Sequence, residues 1–356
     1  MRASWCGKLD RRSTEWAIVF PGDSGHRSVP VPYLCVMDRM KAAVVQAGSP
    51  LFDTGEALAK AQRLITEAMR EGAELVVLPE AFIGGYPKGL DFGVTVGSRS
   101  AIGREEFRRY WDAAIDVPGP ETEALGALTR ELGHHAVVGA VERSGRTLYC
   151  VALFFGPGGL LGKHRKLMPT GSERLIWGLG DGSSMPVVEI GRARLGSAIC
   201  WENYMPLFRT AMYTKNVDIW CAPTVDDRES WQATMRHVAL EGRCFVLSAS
   251  QYLTRADLPQ DVHPVQGDEA GTVLIGGGSV IVSPLGEVLA GPLRDGEGIL
   301  TAELDLAELA RARFDLDVTG HYARPDIFAL HIDERAKEGV VLSDRGDQPP
   351  GTFPAQ

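Results

Sequence analysis

Three side chains that could take part in chemistry follow apolar runs of this sequence, at positions where strands of a sheet would end. Cys200 closes such a run in "GSAICWENYMP", Glu80 follows "LVVLP", and Thr224 follows "IWCAP". In a sheet covered by helices, reactive groups collect beyond the carboxyl ends of the strands. A thiol becomes a strong nucleophile when it loses its proton, and a nearby carboxylate can accept that proton. The pattern favours nucleophilic chemistry over the simpler interpretation of a core cysteine and a solvated loop glutamate.

Composition excludes several classes of partner and setting. The 356 residues are 44% hydrophobic, and 37 Lys and Arg against 46 Asp and Glu give a formal charge of -9 without a long basic run. Nucleic acid is therefore not expected as a partner. No apolar stretch approaches the roughly 18 residues of a membrane helix, so no membrane partner is expected either. The six cysteines form no CxxC pair, which argues against a zinc site or a disulfide scaffold and favours a reducing, cytoplasmic setting.

From Lys41 onward, short apolar runs alternate with helical patterns, which predicts an α/β fold in a single domain. We expect an N-terminal extension over residues 1–39, a domain over 40–330 and a C-terminal tail over 331–356. Helices are predicted near 57–69, 104–115, 121–132, 204–215 and 228–241, and strands at "KAAVVQA", "AELVVLPE", "AVVGAVE", "TLYCVALFF", "RLGSAIC", "VDIWCAP", "CFVLSAS", "GGSVIVS", "EVLAG" and "ILTAEL".

Two further sets of residues are harder to interpret from local pattern. Lys166 lies in the basic run "GKHRKLMPT", and such a run by itself indicates a solvated charged face. Cys150, Cys221 and Cys244 lie inside apolar runs, so they are predicted to be packing residues.

Three segments, "PEAFIGGYPKG", "HRKLMPTGSER" and "CWENYMP", resemble in this order the signature segments of the nitrilases, a branch of the carbon-nitrogen hydrolase superfamily. With "CAPTVDDRESWQATMRHVALEGRCFVLSASQ" and "GHYARPDIF", the likeness runs from Lys41 to Phe328. The resemblance implies an α-β-β-α sandwich that forms a homo-oligomer, either a dimer or a larger spiral assembly.

The resemblance also implies roles for individual residues. Cys200 would be the nucleophile, Glu80 the general base and Lys166 the cationic partner, while Glu173 in "GSER" matches a second glutamate of the site. A surface ion pair with the neighbouring arginine is the other interpretation of Glu173. The "GS" that precedes it departs from the bulkier residues common in related nitrilases. Substrate-lining positions are implied at Tyr86, Thr170, Trp177, Trp201 and Tyr204, although aromatic residues near strand ends are often core residues instead.

The expected reaction is hydrolysis of an organic nitrile to a carboxylic acid and ammonia, with water as co-substrate and no metal or organic cofactor. Attack on the nitrile builds negative charge on nitrogen, which Lys166 and the backbone N–H of Trp201 could stabilise. An amidase, a carbamoylase or a cyanide-degrading enzyme of the same superfamily is the first alternative, and "CWEN" favours nitrile or cyanide chemistry. A catalytically silent scaffold is the second. Aliphatic, aromatic, arylaceto- and dinitriles all remain open as substrates.

Overall fold

The computed structural model describes residues 39–337, and the two sheets of this part of the chain carry most of its strands. The helices are α1 (Thr54–Arg70), α2 (Ala101–Ala113), α3 (Pro120–Leu132), α4 (Pro206–Thr214), α5 (Glu229–Gly242) and α6 (Ala307–Ala312). The strands are β1 (Arg39–Gln46), β2 (Leu75–Val77), β3 (Val94–Thr95), β4 (Ser98–Arg99), β5 (His135–Ser144), β6 (Thr147–Gly156), β7 (Gly159–Arg165), β8 (Val188–Ile190), β9 (Ala193–Ser197), β10 (Ile219–Thr224), β11 (Phe245–Ser250), β12 (Tyr252–Thr254), β13 (Val273–Val282), β14 (Val288–Arg294) and β15 (Gly298–Asp305).

Each large sheet has a parallel centre and antiparallel edges. The first sheet has the order β15-β1-β2-β5-β6-β7, with β1, β2 and β5 parallel. The second has the order β12-β13-β11-β10-β9-β8, with β9, β10 and β11 parallel and β14 paired with β13. Helices join the parallel strands, as crossover connections require: α1 joins β1 to β2, α2 and α3 join β2 to β5, α4 joins β9 to β10, and α5 joins β10 to β11. The turns that follow β2, β9 and β10 therefore lie at the carboxyl ends of parallel strands.

The apolar side chains divide into three cores, and these define four layers. One core joins inward side chains of both sheets, such as Val77 and Leu247. A second lies between the first sheet and helices α1 and α3, where Ala61 and Ile65 of α1 are fully buried. The third lies between the second sheet and helices α4 and α5 and contains Trp231. The predicted α-β-β-α sandwich is thus confirmed. Its central strands are buried on both faces, and this explains the continuous apolar runs of the sequence.

Helix boundaries follow local signals. The Asp53 side chain accepts a hydrogen bond from the Glu56 backbone N–H at 2.9 Å, which caps the start of α1. Pro120 occupies the first turn of α3, and Gly133 ends that helix in the left-handed conformation.

The structure corrects the expectation for the basic run and shortens one predicted strand. Residues 159–165 form β7, and His164 and Lys166 are fully buried rather than solvated. Alternate side chains of a strand point to opposite faces, so Lys163 and Arg165 bind Glu142 on one face while His164 and Lys166 enter the protein on the other. The strand in "RLGSAIC" ends at Ser197, and Cys200 begins a short 3-10 turn over Cys200–Tyr204.

Some expectations fall wholly or partly outside the described residues. These are the extension over 1–39 apart from Arg39, the part of the 331–356 tail after residue 337, and Cys6 and Cys35. The helices found between residues 39 and 337 are each too short or too polar to cross a bilayer.

Candidate active site

Glu80 lies in a tight turn just beyond the end of β2, pressed against β5. The turn is anchored by backbone hydrogen bonds from Leu78 N to Val137 O at 2.8 Å and from Ile83 N to Gly139 O at 3.0 Å. The amide of Gln251, directly after β11, donates to the Glu80 backbone carbonyl at 2.8 Å. The Glu80 carboxyl group is completely buried, so its orientation is determined by protein contacts rather than by solvent.

Cys200 occupies the equivalent position beyond β9 in the second sheet. Its φ of +50° lies in the left-handed region, which is uncommon for a residue with a side chain. Asn203 stabilises this turn, because its Nδ2 donates to the carbonyls of Ala198 at 3.0 Å and Cys200 at 2.8 Å. The Thr224 hydroxyl, at the end of the neighbouring strand β10, donates to Cys200 Sγ at 3.2 Å. The sulfur is therefore held between two strand ends, and the residue is 3% exposed.

Lys166 joins the two glutamates of the site. Its Nζ donates to Glu80 Oε1 at 2.6 Å and to Glu173 Oε2 at 2.7 Å. Glu173 also accepts hydrogen bonds from the Thr170 backbone N–H at 2.6 Å and from the Tyr86 hydroxyl at 2.8 Å. The other interpretation of Glu173, a surface partner for Arg174, is not what the structure shows: Arg174 Nε donates to the Gly171 carbonyl.

Burial and mutual charge decide how these groups hold protons. Burial raises the pKa of Glu80 to about 7, although the Lys166 ammonium opposes the rise. Burial also raises the pKa of the Cys200 thiol far above its ordinary value, and the negative charge of Glu80 adds to the effect. Burial alone would lower the pKa of Lys166, but the surrounding negative charges raise it. The resting arrangement is a protonated thiol beside a titratable carboxylate and a fixed ammonium.

The two oxygens of the Glu80 carboxyl group have different surroundings. Oε1 accepts from Lys166, whereas the buried Oε2 accepts no hydrogen bond of normal geometry from the described residues. The Cys200 side chain lies close enough to favour the ionised form of Glu80 through hydrogen bonding. A buried carboxyl group with a raised pKa beside a specific charged partner is typical of a functional site.

The implied substrate-lining residues divide into two groups. Tyr86 and Trp177 pack edge to face with ring centroids 5.8 Å apart, and Lys166 Nζ lies 5.6 Å from the Trp177 ring. Thr170 joins this group through its backbone contact with Glu173. Trp201 and Tyr204 lie instead on the turn after the cysteine, more than a third exposed, and pack on each other.

Trp201 makes its own polar contacts outside the cluster around Lys166. Its Nε1 donates to Asp226 at 2.9 Å, and the Arg228 guanidinium lies 4.9 Å from the Trp201 ring. The structure therefore brings Tyr86, Thr170 and Trp177 to the polar cluster and leaves Trp201 and Tyr204 at the surface beside it.

Among the contributors to the site that sequence reasoning missed are Cys150, Glu202 and Asn203. The Cys150 thiol, predicted to be a packing residue, is buried but also donates to Glu80 Oε1 at 3.7 Å. Glu202 and Asn203 are completely buried beneath the Cys200 turn and hold its backbone. The polar residues directly after Cys200 were the available signal, since buried polar groups need partners and therefore organise the backbone around them.

Comparisons with known proteins agree with this architecture. The carbon-nitrogen hydrolase family model matches residues 41–314. An aliphatic nitrilase of Sinorhizobium fredii (strain HH103) is 56% identical over 305 residues, covering 86% of this chain and 99% of that protein. A bifunctional nitrilase/nitrile hydratase of Lupinus angustifolius is 54% identical, covering 85% of this chain and 89% of that protein.

Among solved structures, a nitrilase superfamily member from Saccharomyces cerevisiae superimposes with a TM-score of 0.60 at 22% identity, covering 80% of this chain and 96% of that one. That likeness supports the fold, a carbon-nitrogen hydrolase sandwich. The identity to nitrilases over most of the chain is more specific. The chain belongs to the nitrilase branch of the carbon-nitrogen hydrolase family, and the resemblance seen in its motifs is confirmed.

Proposed function

We propose that the protein is a nitrilase that converts an organic nitrile and two molecules of water into a carboxylic acid and ammonia. The observation that carries the proposal is the buried cluster in which Lys166 Nζ lies 2.6 Å from Glu80 and 2.7 Å from Glu173, with the Cys200 side chain within hydrogen-bonding reach of Glu80. The identity of more than 50% to named nitrilases over most of the chain supports the same conclusion.

In the first step Cys200 attacks the nitrile carbon while Glu80 accepts the thiol proton. Because the pKa of the buried thiol is raised, a stored thiolate is disfavoured and proton transfer has to accompany attack. The proton then passes to the nitrile nitrogen, which leaves a thioimidate bonded to the sulfur. Lys166 acts as a fixed positive charge near the nitrogen where negative charge develops.

The second half of the reaction uses water twice. Water activated by Glu80 adds to the thioimidate carbon, and the tetrahedral intermediate expels ammonia to leave a thioester. A second water releases the carboxylic acid and returns the proton to the Cys200 sulfur. Glu173 holds the ammonium of Lys166 between two carboxylates, so that its direction does not change during the cycle.

The aromatic residues are proposed to line the substrate path. Tyr86, Thr170 and Trp177 form the inner wall next to Lys166, and Trp201 with Tyr204 forms the outer rim. Such a lining would provide apolar surface for the organic group, with a few hydroxyls to orient it.

Amide release is the alternative outcome of the shared tetrahedral intermediate. Collapse with loss of the sulfur instead of ammonia would yield an amide, and the Lupinus angustifolius relative is named as both a nitrilase and a nitrile hydratase. An assay of this protein should therefore measure ammonia, acid and amide together.

The decisive experiment supplies a nitrile and the corresponding amide separately to the wild-type protein and to Cys200→Ala. We expect the wild type to release ammonia from the nitrile and the variant to release none. Mass spectrometry of the wild type with a slow nitrile should detect a covalent adduct at Cys200. Turnover of the amide alone would favour the amidase alternative, while ammonia release by Cys200→Ala would remove the thiol from the mechanism.

Three further expectations accompany this function. We propose that residues 40–330 act as one catalytic domain, that the protein works in the cytoplasm, and that it assembles as a homo-oligomer. The free thiols among the described residues, at Cys150, Cys200, Cys221 and Cys244, are consistent with a reducing compartment.

A further inference from the structure

A completely buried pair, His164 and Glu202, lies directly beneath the proposed active site. His164 Nε2 and Glu202 Oε2 are 2.9 Å apart, and both side chains are 0% exposed. His164 is on β7, two residues before Lys166, and Glu202 is on the turn two residues after Cys200. The pair therefore joins the strand that carries the ammonium to the turn that carries the nucleophile.

Glu202 accepts three hydrogen bonds that reach both segments. The Ile199 backbone N–H, directly before Cys200, donates to Oε2 at 2.7 Å. The Leu167 backbone N–H, directly after Lys166, donates to Oε1 at 2.6 Å. The third donor is the His164 ring. One carboxylate thus holds the backbone next to Cys200 and the backbone next to Lys166. These two residues of the proposed reaction lie 34 positions apart in the sequence.

The contacts of the imidazole require a proton between His164 and Glu202. Nδ1 lies 2.6 Å from the Ser184 carbonyl, which can only accept, so Nδ1 carries a hydrogen. If Nε2 carried none, its lone pair would face a carboxylate oxygen at 2.9 Å between two side chains that are closed to solvent. The geometry therefore requires one shared proton, written as imidazolium and carboxylate.

We propose that Glu202, through the proton it shares with His164, is a positioning residue that sets the place of Cys200 relative to Lys166. This inference rests on the proposed function for its activity readout. Loss of the shared proton, or of the carboxylate, would release the Ile199 and Leu167 backbone groups and let the two segments separate. A displacement of about 1 Å at the reacting atoms can reduce the rate on the order of 100-fold.

The charges around the imidazole support a proton that persists near neutral pH. Burial alone would lower the pKa of His164, but Glu202 and the Ser184 carbonyl raise it above its ordinary value. From α4, the Phe208 ring packs against the imidazole at 5.5 Å. Lys215, just after α4, is the positive charge that opposes protonation, and it is itself held by the Met185 carbonyl and Glu334.

The pH dependence has a defined sign. Because the pKa of His164 in the folded protein is raised, its stabilising contribution is fully present below the ordinary histidine pKa of about 6.5. It is lost as pH rises through the raised value. The pKa values of Lys166 and Cys200 are also raised, so both groups stay protonated over the pH range in which His164 loses its proton. An alkaline loss of kcat with a parallel loss of thermal stability is therefore expected from His164.

The test compares Glu202→Gln, His164→Leu and His164→Gln with the wild type. Steady-state kinetics with a nitrile is combined with the rate at which iodoacetamide alkylates Cys200. Glu202→Gln and His164→Leu should lower kcat by on the order of 100-fold while KM changes less than about threefold. Both should also slow alkylation of Cys200. His164→Gln keeps an N–H directed at Glu202 at every pH, so it should retain most activity and lose the alkaline decline.

Glu142→Gln is the matched control, because Glu142 is also a buried carboxylate bound to β7, through Lys163 and Arg165 on the opposite face. It should leave kcat and alkylation unchanged even if it lowers the melting temperature. Wild-type kcat and alkylation in both Glu202→Gln and His164→Leu would overturn the proposal. If Glu202→Gln does not fold, the same pH profile for His164→Leu and His164→Gln would overturn it. Alkylation needs no nitrile, so it tests positioning even if nitrile hydrolysis fails.

Discussion

The surroundings of the Glu80 carboxyl group act on its ionisation in opposite directions. Burial raises its pKa to about 7, while Lys166 and Cys200 favour the carboxylate. A general base works best when its pKa lies near the working pH, because it is then both ionised and basic enough to accept a proton. Glu80 is placed in this range by its surroundings.

The first prediction concerns the acid limb of the pH profile. Protonated Glu80 cannot accept the thiol proton, so kcat/KM should fall as pH decreases through about 7, by roughly tenfold for each pH unit below it. Initial rates of ammonia release between pH 5 and pH 9 measure this limb. A rate that stays constant down to pH 5, near the ordinary pKa of about 4.3 for glutamate, would contradict the role of Glu80.

The second prediction is that a substitution of Cys150 shifts the same acid limb of the pH profile. Cys150→Ala removes the thiol that donates to Glu80 Oε1. A hydrogen bond contributes about 1 kcal/mol, a thiol is a weaker donor than this average, and a pKa unit corresponds to about 1.4 kcal/mol, so the limb should move up by roughly half a pH unit or less. Cys150→Ser keeps a donor and should not move it upward. Cys221→Ala, which removes an equally buried thiol elsewhere, should leave it unchanged.

Among the secondary-structure elements, β5 determines how closely the Glu80 turn can approach the sheet. Gly139 lies in the middle of β5, and a Cβ at this position would overlap the Pro79 carbonyl and lie 2.8 Å from the Glu80 Cα. The Ile83 backbone N–H donates to the Gly139 carbonyl from the same turn. A side chain on this strand would therefore push the base away from the sheet.

The third prediction is that Gly139→Ala lowers kcat/KM by about 100-fold or more, because the Glu80 turn must move to avoid the new methyl group. Steady-state nitrile hydrolysis measures the effect, and circular dichroism checks that the fold persists. Gly271→Ala is the control, since a Cβ there meets no atom within 4 Å. Equal rates for the two variants would show that the close approach has no effect on catalysis.

At the level of the whole molecule, two buried glutamines connect the sheets whose turns form the site. Gln46, at the end of β1, accepts hydrogen bonds from the Gly278 and Ser279 backbone N–H groups at 2.9 and 3.0 Å and donates to the Gly296 carbonyl at 2.7 Å. Gln251, directly after β11 of the second sheet, donates a hydrogen bond to the Glu80 backbone carbonyl, which follows β2 of the first sheet. The distance between the sheets is therefore fixed by hydrogen bonds as well as by apolar packing.

The fourth prediction is that Gln46→Leu lowers the free energy of unfolding by at least about 2 kcal/mol. Two buried backbone N–H groups and one partly buried carbonyl lose their partner, and each unsatisfied buried group costs about 1–3 kcal/mol. Urea denaturation followed by fluorescence measures the change. The same substitution at the exposed Gln260 should have little effect. A loss of stability no larger than that of Gln260→Leu would mean that packing alone joins the sheets.

Much of the architecture was predictable because its signals are local. Apolar runs and helical periodicity predicted strands and helices close to those found, including α3 at Pro120–Leu132 and β6 at Thr147–Gly156. The positions of Glu80, Cys200 and Thr224 after apolar runs also reflect the chain itself, since parallel strands end at a common edge. The motifs around these residues were sufficient to indicate the family.

Other features depend on contacts between distant segments and could not be obtained from local pattern. In an isolated segment, the basic run that contains Lys166 would be solvated. In the folded protein, β7 pairs with β6, and the side chains of Lys166 and His164 contact residues 80, 173 and 202, which buries them. Cys150 becomes a partner of Glu80, and His164 a partner of Glu202, across 70 and 38 positions of sequence. Burial and the proximity of charges change the pKa of a group, and both arise only when the two sheets pack together.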